Sequence, residues 1–238
     1  MQAFLAILKY DLGQLTRSWL IRIWIVLLLG PAAFLVVVSA TEKELASETL
    51  AAYIGAVLAP LSALAVAVIT AGAIAGETAT VADSIMSRSV TRAEYLWAKI
   101  VSRLGVTMLV YFVVAVPFAY LVTRYAAKDT SFGGVAGGLM MVAVLLAFLA
   151  AFGIALSTFM RNVLVAVLVL LATLLISGVV LQFLGLSWMS TTAVIERLPD
   201  TFRGRTPAYD QIRVLVIFPV LTAVAIVSAM WSFRQKDL

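Results

Sequence analysis

Six charge-free apolar runs, each long enough to cross about 30 Å of hydrocarbon, constrain this chain more than any other feature. They fall at residues 23–40, 50–75, 104–123, 133–160, 163–183 and 214–233. In lipid every backbone N–H and C=O must be satisfied within the protein, so charge-free runs of this length read as transmembrane helices. Composition agrees. Of 238 residues 63% are hydrophobic and 12% are charged, where a soluble domain of about 25% charged residues can still cover its surface. The fold expected is all-α: one transmembrane domain over residues 1–238 with six spans.

The same composition removes most enzymology. There is no cysteine and no histidine, which excludes disulfides, thiolate or imidazole metal sites, haem attachment and every triad built on histidine. The six runs contain no Asp, Glu, Lys or Arg, whereas an ion-coupled transporter generally holds ionisable groups near mid-membrane. Paired acids for an intramembrane protease or a phosphatidyltransferase are missing as well. Ser62, Ser157 and Ser177 have no histidine or mid-span lysine to activate them. No Gly-rich loop ending in Lys-Ser/Thr could cradle nucleotide phosphates. A chain of this kind is expected to be no enzyme and to hold no cofactor or metal; any ATP it depends on must be hydrolysed by another polypeptide.

The formal charge of +5 is spread thinly between apolar runs, so it reads as membrane orientation rather than nucleic-acid binding. With both termini cytoplasmic, about ten basic and five acidic residues lie inside, against about seven of each outside. The surplus then sits where the positive-inside rule puts it, and six spans return the chain to its starting side. Arg203 and Arg205, in the last outer loop, pull the other way.

Three connections carry information. Residues 1–22 precede the first span, with Phe4, Leu8, Leu12, Leu15 and Trp19 at helical spacing and Lys9, Asp11, Gln14 and Arg17 read as the polar side. This is an amphipathic helix on the cytoplasmic interface, or a plain extension of span 1. Residues 76–103 form the longest cytoplasmic segment. Thr91-Arg92-Ala93-Glu94 fits a capping box that starts a helix running into span 3, so the segment reads as helix, turn, helix, a docking knob by shape, or as an ordinary capped loop. Residues 184–213 begin apolar, and the charge-free run 162–195 is too long for one upright helix. Its excess is a short re-entrant or interfacial helix, or else part of one long tilted helix. Glycine and alanine pairs four apart, such as Gly134 and Gly138, read as close packing within the chain before a dimer seam. Gln182, the one strongly polar amide inside a span, is expected to hydrogen-bond between helices.

After span 2 the chain runs Ala75-Gly76-Glu77, then Asp83-Ser84-Ile85-Met86-Ser87-Arg88-Ser89-Val90-Thr91-Arg92-Ala93-Glu94-Tyr95-Leu96-Trp97-Ala98-Lys99. With a cytoplasmic extension and six spans, this resembles the permeases of type-2 ATP-binding-cassette (ABC) exporters. Glu77, Ser87, Thr91, Arg92 and Lys99 match the family's pattern, while Ala79-Thr80 stands where Gly-Thr is usual and Ser89 where proline is usual. The resemblance implies a coupling helix, Asp83 to Arg92, that docks on a cytosolic ATPase, and a rim or gate formed by Glu77, Glu94 and Lys99. It also implies two copies of that ATPase carrying ATP and Mg, and a second permease copy or a sister permease. Apolar walls favour a hydrophobic or amphipathic cargo moved across the plasma (inner) membrane. The alternative is a membrane anchor or assembly factor, including an ABC-type maturation system for a metalloenzyme or cytochrome. A lipid-modifying enzyme ranks last, because Glu77 and Asp83, six apart, cannot face one another on a regular helix.

Overall fold

A computed structural model describes residues 2–75, 91–160 and 162–235. The helices are α1 (Gln2–Arg17), α2 (Trp19–Thr41), α3 (Ala46–Tyr53), a π-helical turn (Ile54–Leu58), α4 (Ala59–Ala75), α5 (Arg92–Tyr125) and α6 (Phe132–Phe159). They continue with α7 (Val163–Phe183), a 3-10 turn (Ser187–Met189), α8 (Thr191–Glu196), α9 (Leu198–Phe202) and α10 (Ala208–Gln235). Among the described residues no strand forms beyond an isolated parallel bridge between Leu45 and Ala127. Among the described residues six helices are long and apolar enough to cross a membrane: α2, the run Ala46–Ile74, α5, α6, α7 and α10. Each corresponds to one apolar run of the sequence. The chain is a multi-pass, all-helical membrane protein.

Helix α6 is the axis of the bundle. Of its most apolar stretch 67% is buried, against 22% for α2 and α10 and 11% for α7. Lipid tails are as apolar as leucine, so helices in a bilayer associate by close packing rather than by escaping water. The sequence of α6 supplies that fit. Ala151 and Ala155 meet Ala225 and Ala229 of α10 in an alanine seam. Gly153 leaves no room for a Cβ beside Thr70 of α4 and Leu170 of α7. Gly138 lies under the ring of Phe202, and Gly134 under the carbonyls of Thr201 and Phe202, so α9 rests on α6 through two glycines. The glycine spacing thus serves packing inside the chain. Buried tyrosines are satisfied across helices: Tyr53 donates to the Leu28 carbonyl at 3.1 Å and Tyr111 to the Leu139 carbonyl at 2.7 Å.

Two irregularities shape the spans. Pro60 has no N–H to give to the helix, and just before it the chain widens into the π turn, where the Ala59 amide bonds five residues back to Ile54. Ile195 of α8 packs against Gly55 inside that turn. Helix α7 ends at Gly185, whose φ of +72° is natural only for glycine. The Gly185 amide bonds to Gln182 and the Leu186 amide to Leu181, the paired bonds of a Schellman stop. The apolar run 162–195 is therefore broken into α7, the 3-10 turn and α8, not drawn out as one tilted helix. Gln182 lies exposed near the end of α7 and its amide has no hydrogen-bond partner among the described residues. The expected interhelical bond is absent because the side chain faces away from the bundle.

Candidate functional site

The polar groups gather at the two ends of the bundle. At one end, here the terminal end, Ala73 and Ile74 of α4, Tyr95, Leu96 and Ile100 of α5, Ile154 of α6 and Phe233 of α10 form one apolar cluster, with Ile7 of α1 packed against it. Ala73 and Ile74 lie in the last turn of α4, and Tyr95 and Leu96 in the first turns of α5.

Beside it lies a buried charge cluster. Helix α5 has 34 residues, about 51 Å at 1.5 Å per residue, so it is far longer than the hydrocarbon is thick. Its first turns hold Lys99 and Arg103, four residues apart on one face, an unfavourable pair of like charges when left alone. Asp11 of α1 stands between them. Its Oδ1 accepts from Lys99 Nζ at 2.7 Å and from Arg103 Nη2 at 3.3 Å, and its Oδ2 accepts from the Ser102 hydroxyl. Asp11 is fully buried, and Lys99 and Arg103 nearly so. Lys99 also lies 5.7 Å from the centre of the Tyr95 ring, which stacks on Phe233 at 6.2 Å. One carboxylate thus locks α1 to the root of α5, and an aromatic pair extends the link to α10.

Thr91 caps α5. Its hydroxyl accepts from the Glu94 amide at 3.2 Å, while Glu94 Oε2 accepts from the Thr91 amide at 3.2 Å and from its hydroxyl at 3.0 Å. The reciprocal box fixes where α5 begins and therefore where residues 76–90 must end.

The opposite end, the loop end, is tied by Arg203. Its Nε donates to Asp129 Oδ2 at 3.0 Å and its Nη2 to Glu48 Oε1 at 2.7 Å. Asp129 also accepts from the Ser47 amide at 2.9 Å and from the Ser47 hydroxyl. Partial burial works against the charged form of Asp129, but the Ser47 hydroxyl and amide and the Arg203 guanidinium together hold its carboxyl below the usual range. Backbone bonds from Ala46 to Ala127, Ala127 to Glu44 and Ser131 to Phe202 complete the tie.

Family models and curated protein sequences yield no match to this chain.

Lys99, Thr91 and Glu94 of the expected site therefore lie at the cap and in the first turns of α5, which Arg92 opens. Glu77, Asp83, Ser84, Ile85, Met86, Ser87, Arg88, Ser89 and Val90 lie outside the described residues. Asp11 corrects the sequence reading, which set it on the polar side of α1. It is three residues after Leu8 and four before Leu15, so a helix carries it on the margin of the apolar stripe and buries it with Leu15. That spacing, with Lys99, Ser102 and Arg103 on one face of α5, was the available signal. Groups that could hold a metal are absent among the described residues.

Proposed function

We propose that this chain is the membrane-spanning permease subunit of an ATP-driven exporter of the type-2 ABC kind. The observation that carries the reading is the Asp11–Lys99–Arg103 lock at the point where the polar connection 76–90 enters α5. A force delivered to the start of α5 meets a capped helix end. It passes into a capped helix of 34 residues that is clamped to α1 and stacked on α10, and it reaches the loop end as a movement of α5 against the bundle.

In this reading both termini are cytoplasmic, and residues 83–92 form the coupling helix that docks on a cytosolic ATPase, two copies of which carry ATP and Mg. Helix α1 is the interfacial helix. The 3-10 turn with α8 and α9 is the re-entrant segment of the outer face. Exposed apolar side chains along α2 and α7, such as Phe34, Leu168 and Leu175, face lipid or a second permease copy. The apolar interior of the spans suits a hydrophobic or amphipathic cargo.

The test is purification of the tagged protein in mild detergent, mass spectrometry of the chains that accompany it, and an ATPase assay of the eluate. A co-purifying chain with a phosphate-binding loop, and vanadate-sensitive hydrolysis that Arg88→Glu or Arg92→Glu uncouples from transport, is the expected result. Recovery with a non-ATPase partner, or transport with normal coupling in both variants, overturns it in favour of a membrane anchor or assembly factor.

A further inference from the structure

A narrow cleft of ≈ 20 Å³ opens at the loop end between the 3-10 turn, α8, α9 and the first turns of α10. Arg197, Thr206 and Asp210 are shared with an adjoining, wider and more open space of ≈ 410 Å³ that also reaches Arg205 and Asp200. The feature that sets this cleft apart is Arg213. Its guanidinium carbon lies 4.2 Å from the centre of the Trp188 ring and 4.8 Å from that of Tyr209, so two aromatic faces hold the cation in place. Stacking leaves the edge of the guanidinium free. None of its hydrogen-bond donors has a partner among the described residues, and it belongs to no ion pair there. Arg203, on the same segment, is spent on Asp129 and Glu48. Arg197 meets Asp210 only at 3.6 Å.

We propose that this cleft binds the phosphate group of an anionic lipid, with Arg213 as its principal donor and Arg197 and Arg205 at its rim. A planar guanidinium held edge-outward matches two phosphate oxygens at once. Three arginines against Asp200 and Asp210 leave the lining cationic. The surroundings select a lipid over a soluble anion. Trp188 and Tyr209 are of the two residue types enriched at bilayer interfaces, apolar in body and polar at one edge. Phe183 and Leu184, a few residues before Trp188, and Ile212 and Val216, on either side of Arg213 in α10, are exposed, apolar surface against which acyl chains can lie. The inference is independent of the transport reading, because lipid binding here requires no ATPase.

The experiment uses the whole chain in nanodiscs of phosphatidylcholine containing a minor share of phosphatidylglycerol, with retained lipid read by native mass spectrometry after transfer to detergent. The wild-type protein is expected to retain phosphatidylglycerol preferentially, and Arg213→Gln to reduce that preference about tenfold, the effect of losing one charge-assisted bidentate contact. Arg124→Gln, at an exposed arginine outside the cleft, is expected to leave it unchanged. Thermal unfolding checks that each variant is folded. If Arg213→Gln does not fold, Arg213→Lys keeps the charge, loses the planar fork and is expected to lose most of the preference. Equal retention of both lipids by the wild-type chain overturns the proposal, as does a preference that survives both Arg213 substitutions. Stabilisation of the detergent-solubilised chain by inorganic phosphate, reversed by Arg213→Gln and without lipid preference, overturns the lipid assignment in favour of a soluble anion.

Discussion

Replacing Asp11 by asparagine keeps the shape of the side chain but removes the carboxylate that α1 places between Lys99 and Arg103. Both cations are nearly buried, so Asp11→Asn is expected to destabilise the protein by about 3 kcal/mol, the cost of breaking a buried ion pair from one side. Denaturant unfolding in detergent measures the change, and faster proteolysis within α1 locates it. Asp129 supports a pH prediction of definite sign. Its folded-state carboxyl titrates below the unfolded value of about 3.9, so its contribution is present above about pH 4 and fades as pH falls through the lower folded value. The unfolding temperature is expected to drop on acidification below about pH 4. Asp129→Asn is expected to start lower at neutral pH and to show a smaller acid step, followed by calorimetry.

Among the elements, the apolar runs locate the spans because hydrocarbon thickness sets their length, although α5 begins about twelve residues before its run and α10 about six. Their ends and their contacts come from other causes. Helix α7 stops where Gly185 can take a positive φ, a property of one residue inside a run that hydropathy reads as continuous. Helix α9 has five residues and no pattern of its own; it is held because Gly134 and Gly138 let Phe202 settle on α6. Gly138→Ala is expected to push the Phe202 ring away at a cost of about 1–3 kcal/mol, the range for overpacking a close contact. Ala136→Gly, on the same helix away from that contact, is expected to cost no more than about 1 kcal/mol through backbone freedom alone. Thermal unfolding of the two variants side by side distinguishes lost packing from general weakening of α6.

For the molecule as a whole, orientation can be measured directly because the chain has no cysteine and every introduced thiol is the only one. Gln14 lies on α1, and Lys128 and Arg205 lie at the loop end, all three exposed. A membrane-impermeant maleimide applied to intact cells is expected to label Lys128→Cys and Arg205→Cys, and Gln14→Cys only after permeabilisation. The reverse pattern inverts the molecule in the membrane and removes residues 76–90 from reach of any cytosolic ATPase.

The sequence by itself determined that this is an all-helical membrane protein of six spans with a capped helix opening at Thr91, since solvent class, span length and a local capping box depend on nearest neighbours alone. It also carried the spacing that put Asp11 at the edge of an apolar stripe. Only the tertiary structure decided what that carboxylate meets, because Lys99 and Arg103 lie about ninety residues away along the chain. The same holds for Arg213. Its charge is plain in the sequence, but the two rings that hold it and the cleft it faces exist only once α7, the 3-10 turn and α10 have packed, since contacts between distant segments are settled by fit and not by pattern.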